Sequence, residues 1–393
     1  MIRLFFYACL LTSISGFSQP ITQGRPLTGR TTGSLPYLEY GLGGDRLGGA
    51  KMTYLDTGIV VKIIDSTIGN YKIQLSKEHS AYLPKSNFKK DNSIKNQSYY
   101  LTNSWLVSGD SVYDYVMVSL DEKLPYKSMQ QIGPSRIVVD VYGATSNTNW
   151  ITQRISAREI KNVYYEQIED DVFRIIIELK HAQHWGYSIY YRDKRLVIKV
   201  KRQPGELSLE NMKIAVDAGH GGDNPGTSGV TTGISEKKYT LLIAKQLEVA
   251  LRKKEAKIFM TRETDITIGM RERIEMIKKE DPDFLISIHL NGSVKDTVAG
   301  VSTYYRYIGF KPLTQYIQES MLKLGLKDFG NIGSFNFELN GPTDYPNCLV
   351  EVAFLSNRED EQRVLDPEFH KEVANQIVEG IKEWLKACKK NDN

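Results

Sequence analysis

Cysteine is scarce in this 393-residue chain: there are three, and because Cys9 sits in the first apolar stretch, Cys348 and Cys388 are the two that matter. Two thiols cannot build a disulfide framework, although an oxidising compartment would let them pair. Cys348, in the apolar run 348–354, reads better as core packing. An excess of one charge is also missing. Lys and Arg number 51 against 47 Asp and Glu, a net charge of +4 spread along the chain. That balance gives no reason to expect a nucleic-acid partner; it is compatible with an anionic polymer without requiring one. No apolar run approaches the roughly 20 residues needed to cross a bilayer, so a membrane bundle is excluded. No glycine-rich stretch ends in Gly-Lys-Ser/Thr, which excludes a nucleotide loop of that kind.

What is present is the balance of a soluble globular chain, 41% hydrophobic and 25% charged residues. The length exceeds what one hydrophobic core serves and implies two or three domains. At the start, Arg3 precedes an apolar stretch and then small residues, with Gly16 and Ser18 before Gln19. This reads as a signal peptide over residues 1–18; an uncleaved anchor is the alternative, for which the run is short. Without a cysteine at the end of the leader for lipid attachment, the mature chain is expected to be released into the periplasm. Residues 19–50 are rich in Gly, Thr, Pro and Arg, with Gly41, Gly43, Gly44, Gly48 and Gly49 crowded together, and read as a tail or linker.

Residues 51–92 alternate as short strands, with Ile59, Val61 and Ile63 on one parity, then Tyr71, Ile73 and Leu75, and a Gly69-Asn70 turn between them. Through Val60-Val61-Lys-Ile-Ile, Tyr71-Lys-Ile-Gln-Leu and Ala81-Tyr82-Leu83-Pro84 this small β module resembles a bacterial Src-homology-3-like domain. A second β region, 104–202, alternates through Ile137/Val139/Val141, Phe173/Ile175/Ile177/Leu179 and Leu196/Ile198/Val200, with Arg174, Glu178, Arg195 and Lys199 on the opposite parities. Through Ser135–Tyr142 and its closing strand it resembles the AMIN-type β domain. Its tyrosines and Trp185 could stack on sugar rings, or simply serve packing and β propensity.

From Lys213 the texture becomes α/β, and residues 211–388 read as a mostly parallel, twisted sheet flanked by helices and preceded by small all-β domains. Strands are expected at Lys213–Asp217, Lys257–Thr261, Phe284–His289, Gly300–Tyr305 and Leu349–Phe354, with helices from Ser235 (as N-cap), over Arg271–Lys279, over Pro312–Leu324 and over Glu368–Lys386. Chemistry collects at the strand ends. His220 follows a strand through a glycine turn, Glu236 opens a helix, His289 closes a strand, and Glu351 interrupts an apolar strand. Each has a plain reading alone: a tight turn, a helix-dipole partner, a packed histidine, a structural ion pair. Together, two histidines and a carboxylate at one sheet edge are the set that catalytic zinc favours while leaving room for water.

Five ordered motifs then resemble the zinc-dependent N-acetylmuramoyl-L-alanine amidase family of cell-wall hydrolases over residues 213–385. They are Asp217-Ala-Gly-His220-Gly-Gly, Gly233-Ile-Ser-Glu236-Lys237, Thr261-Arg262, Ser287-Ile-His289-Leu-Asn291 and 346–357 around Glu351. The resemblance implies one Zn2+ held by His220, Glu236 and His289, with Glu351 acting on the water and the departing amine. It implies peptidoglycan as substrate and cleavage of the amide between N-acetylmuramic acid and L-alanine. Arg262 and Asn291 are candidates for contacts to substrate or to the ligands, Arg262 equally for an ion pair. The sequence departs from many members in having Ile277-Lys278 in place of an Ala-Asn pair and Thr240 in place of an Asn, which bears on helix packing. Some relatives carry a helix that plugs the site until a partner removes it. The interval from His289 to Glu351 is filled by the elements above, so no plugging helix is expected, whether or not a periplasmic activator exists. Two other readings stay open, a non-catalytic wall-binding regulator and a zinc peptidase acting on stem-peptide crosslinks. His79, His181, His184 and His370 lie outside the motifs and are expected to be ordinary surface or strand histidines.

Overall fold

In the C-terminal half, side-chain parity on one sheet decides where polar groups can meet. Its elements, in chain order, are β1 (Lys213–Ala218), α1 (Glu236–Arg252), β2 (Lys257–Met260), α2 (Met270–Glu280), β3 (Phe284–Asn291), β4 (Val301–Tyr304), α3 (Lys311–Met321), β5 (Asp328–Ile332), β6 (Asn347–Phe354), α4 (Arg358–Leu365) and α5 (Pro367–Lys390). The computed structural model describes residues 27–44, 47–95 and 97–390, so the leader expected over 1–18 lies outside the described residues. Across the sheet the order is β2-β1-β3-β6-β4-β5, parallel throughout except where β4 runs against β6.

Ile214, Val216 and Ala218 of β1, Phe284, Ile286 and Ile288 of β3, and Cys348, Val350 and Val352 of β6 form the main core with α1, α3 and α5. Alternate residues point the other way. Ala215 and Leu285 join Ile274 and Ile277 of α2 in a smaller core on the opposite face. By the same parity Asp217, Ser287, His289 and Glu351 belong to this second, less apolar face. Cys348 and Cys388 are both buried and no disulfide joins them to each other; burial pushes the Cys348 thiol well up.

Two elements differ from expectation by being present at all. β5 was not expected because Asp328-Phe-Gly-Asn-Ile is polar and broken by glycine; it is an edge strand, paired only with β4. The short, charged α4 has little apolar periodicity and is instead started by Asn357, whose side chain accepts from the N–H groups of Glu359 and Asp360, each at 3.1 Å. At α1, Ser235 stands at the N-cap, but its hydroxyl makes no capping bond. The backbone there is tied to the preceding loop through a Ser228–Ser235 bridge and a bond from Glu236 N–H to the Thr227 carbonyl.

The N-terminal half is all β. Seven antiparallel strands form the first sheet, in the order 51–54, 37–39, 80–84, 70–74, 60–66, 27–31, 88–90. The segment 19–50, expected as linker, thus supplies two strands, Leu27–Thr31 and Tyr37–Glu39, with Leu38 of the second fully buried in the core. Its crowded glycines, Gly41, Gly43, Gly44, Gly48 and Gly49, all lie beyond these two strands, which is why the composition of the whole segment misled. A four-stranded sheet (126–132, 135–142, 172–179, 160–169) and a six-stranded one then enclose a core continuous with that of the first module. On the outer face of the four-stranded sheet, directly opposed residues pair as ions: Arg136 with Glu178 at 2.6 Å and Arg174 with Asp140 at 2.7 Å. Trp185 is 2% exposed, stacked 5.1 Å from Trp384 of α5, and donates to Gln203 at 3.1 Å, so it packs the seam between the halves and has no face for a sugar. His184 and His370 are likewise interior, bonded to the carbonyls of Gln131 and Val364. Among the described residues no helix is long and apolar enough to cross a membrane.

Candidate metal centre

The chain leaves β1 through three successive left-handed residues, His220 (φ 62°), Gly221 (φ 129°) and Gly222 (φ 55°). A histidine rarely adopts this conformation, and it persists only where its surroundings impose it. Arg273 of α2 imposes it by donating to the His220 carbonyl. The turned ring points its Nε2 at Glu236 Oε1, 3.0 Å away, and sets its Nδ1 3.0 Å from Asn224 Oδ1. With the Nδ1 proton donated to Asn224, Nε2 would be the nitrogen that exchanges its bond to Glu236 for a lone pair offered to a bound cation.

Glu236 begins α1, and its carboxylate turns inward. Oε1 lies 3.0 Å from His289 Nδ1 and accepts the Leu290 N–H at 3.0 Å, while Oε2 accepts the Thr227 N–H at 2.8 Å. Burial works to raise this carboxyl; the hydrogen bonds from His220 and His289 overcome it and hold it well below the usual carboxylate range. Burial acts to lower His220, and Glu236 more than offsets it, leaving His220 raised. The two rings meet edge to face with centroids 5.0 Å apart.

One donor atom from each of His220, Glu236 and His289 lies within 4.8 Å of the other two. His289 Nε2 is sealed from solvent and has no hydrogen-bond partner. Its ring lies over Gly219, where a Cβ would overlap it. Two nitrogens and one oxygen crowded at this spacing fit a small divalent cation such as zinc.

Beside the triad, Glu351 on β6 is in register with His289 on β3 and with Ser302 on β4, and is half-buried. Asn291, two residues past His289, donates to the Tyr304 hydroxyl at 3.3 Å. Arg262 is buried and occupied by backbone: it donates to the carbonyls of Ala218 (2.9 Å), Gly219 (2.9 Å), Lys237 (2.7 Å) and Thr264 (3.2 Å), and to the Thr240 hydroxyl (3.1 Å). This geometry ties the His220 turn to the start of α1 and leaves the guanidinium away from solvent. Thr240 donates to the Gly219 carbonyl at 2.8 Å, so the threonine found in place of an asparagine serves the same turn. Ile277 is fully buried in the smaller core.

Sequence reasoning missed the groups beneath the site. Asp217 accepts from Arg273 (2.6 Å), Thr261 (2.7 Å) and Ser287 (2.7 Å), all buried. Burial would raise Asp217, yet Arg273 and, after it, His289 and the two hydroxyls keep it below its ordinary value. A signal existed: Asp217 ends an apolar strand just as Glu351 interrupts one, and Arg273 falls on the apolar stripe of α2 beside Ile274 and Ile277.

Residues 214–383 match the family described as N-acetylmuramoyl-L-alanine amidase, and residues 106–200 match the AMIN domain. The probable cell wall amidase LytH of Staphylococcus saprophyticus is 34% identical over 193 residues, which are 48% of this chain and 64% of that protein, so this chain spans less than two thirds of that relative's length. The N-acetylmuramoyl-L-alanine amidase AmiC of Escherichia coli is 25% identical over 364 residues, 70% of this chain and 87% of that one. A crystal structure of an N-acetylmuramoyl-L-alanine amidase from Clostridium difficile 630 is 31% identical, with a TM-score of 0.43, covering 45% of this chain and 97% of its own.

Proposed function

Since the chain belongs to the N-acetylmuramoyl-L-alanine amidase family, with an AMIN domain ahead of its catalytic unit, we propose that it hydrolyses the amide joining the lactyl group of N-acetylmuramic acid to the first L-alanine of the peptidoglycan stem. The observation that carries this is the meeting of His220, Glu236 and His289 donor atoms within 4.8 Å, one strand away from Glu351. Zinc held by those three residues would supply Lewis-acid polarisation of the amide carbonyl and acidify a water. Glu236 places both imidazoles, and Asn224 fixes the His220 tautomer. Glu351 takes a proton from the attacking water and returns it to the departing amine as the C–N bond breaks and a C–O bond forms. Asp217 and Arg273 hold the His220 turn, and Arg262 locks it to α1. The leader read from residues 1–18 delivers the enzyme to the periplasm, where the wall polymer lies.

The test is zinc content and wall digestion by residues 19–393 beside Glu351→Ala, with soluble products identified by mass. Intact stem peptides released by the parent alone, with zinc in both proteins, support the amidase and the role of Glu351. Shortened stems would point to a crosslink peptidase. Zinc without any release would point to a wall-binding regulator.

A further inference from the structure

Phe337 packs edge-on against the His289 ring, with centroids 5.4 Å apart, and heads an aromatic row that continues through Phe335, stacked at 6.3 Å, to Tyr304 at 4.5 Å. The row ends at the Tyr304 hydroxyl that receives Asn291. Phe335 and Phe337 are half-buried, so this row forms a wall at the edge of the metal centre. The segment bearing it has no regular structure between β5 and the short turn at Glu338–Asn340. Left alone, such a segment would spread over many conformations.

It is not left alone, and what holds it comes from nearly 300 residues earlier in the chain. Asn336 Oδ1 accepts the Lys51 N–H at 3.0 Å, and Asn336 Nδ2 donates to the carbonyls of Gly49 (2.9 Å) and Leu47 (3.3 Å). Arg306 donates to Asn336 Oδ1 at 3.2 Å and also to the Lys51 carbonyl. On the other side of Phe337, Glu338 faces Lys51 Nζ at 3.6 Å. Both chain neighbours of Phe337 are therefore fastened to residues 47–51 of the first β module. Leu35 and Tyr54 of that module pack on the same small core as Phe337, under α2.

We propose that the first β module is a working part of the catalytic site: through Asn336, a positioning residue, it holds the Phe335–Phe337 wall against His289, and this wall contributes to substrate binding. The proposal rests on the amidase reading for its assay alone. A wall that contacts substrate without touching the reacting bond changes KM more than kcat.

The test uses the full mature chain carrying Asn336→Ala, Phe337→Ala, both together, and Asn336→Asp. Soluble muramoyl peptides serve as substrate, beside zinc content and backbone hydrogen exchange of residues 333–338. Asn336→Ala should raise KM about tenfold, the order expected from losing several partly buried hydrogen bonds, with kcat within about twofold, zinc retained and exchange at 333–338 accelerated. Because Asn336 acts through Phe337, the double variant should be no worse than Phe337→Ala. Asn336→Asp keeps the acceptor for Lys51 and loses the donors to Gly49 and Leu47, so it should fall between parent and Ala, and it decides the matter if Asn336→Ala does not fold. An unchanged KM, multiplying effects in the double variant, or loss of zinc in Asn336→Ala would overturn the proposal. A parent that releases no stem peptide sinks the amidase reading instead, while unchanged exchange at 333–338 sinks the clamp by itself.

Discussion

Arg273 and Asp217 form a sealed ion pair, Nη1 to Oδ1 at 2.6 Å, with side chains 1% and 0% exposed. Arg273 also donates to the Ala218 carbonyl at 2.8 Å and to that of His220, so the pair links α2, β1 and the His220 turn. Because Asp217 is held below its ordinary value by Arg273 against the opposing effect of burial, its folded pKa lies under the unfolded one. The stability it contributes is fully present above the unfolded carboxylate value of about 4 and is lost as pH falls through the folded value. The parent should therefore lose melting temperature in acid, and Asp217→Asn should show a flatter profile there. At neutral pH that variant should be destabilised by about 3–5 kcal/mol, the cost of stranding a buried partner. Ser287→Ala, which removes one of the bonds to Asp217, should cost about 1 kcal/mol. Thermal melts from pH 3 to 7 decide it: parallel profiles for parent and Asp217→Asn would refute the assignment.

Glu236→Gln keeps the shape of the side chain and removes the charge that both imidazoles face. Zinc content after dialysis should drop well below one per chain, with His220→Ala and His289→Ala behaving alike. Chelation of the parent should abolish hydrolysis, and added zinc should restore it. Full zinc occupancy in Glu236→Gln would remove Glu236 from the ligand set.

Gly219 lies under the His289 ring, and an added Cβ would overlap it. Gly219→Ala should displace the ring and cost about 1–3 kcal/mol as overpacking, with a rise in the zinc dissociation constant measured by competition with a chromophoric chelator. Zinc affinity equal to the parent's would show that the ring has room to move.

Arg262 separates two roles cleanly, because its donors serve carbonyls of the His220 turn and of α1. Arg262→Lys cannot reach them all and should lower stability by about 1–3 kcal/mol, with KM changed less than twofold. A large rise in KM at unchanged melting temperature would place the guanidinium on the substrate.

The candidate site residues were legible because each breaks a local pattern. Glu351 is a carboxylate in an apolar strand, His289 ends one, and Glu236 follows a helix-start serine. The same rule could have found Asp217, whose burial next to Arg273 depends on α2 crossing that face of the sheet. Arg262 and Asn291 were legible as residues and not as roles, since their partners are backbone carbonyls, the Thr240 hydroxyl and a tyrosine that no spacing announces. The 27–39 strands were hidden by the glycines that follow them, and β5 by its polarity, because an edge strand needs no second apolar face.

Sequence by itself determined the α/β unit and its strands with polar ends, because periodicity is a local property written along the chain, and it marked His220, Glu236, His289 and Glu351 as candidates through ordered motifs that resemble a known family. Tertiary structure alone decided that Arg273 holds the His220 turn, that Trp185 is sealed against Trp384, and that residues 47–51 grip Asn336. Those contacts join segments far apart in sequence, and their energy comes from burial and hydrogen-bond geometry that exist only once the modules have packed together.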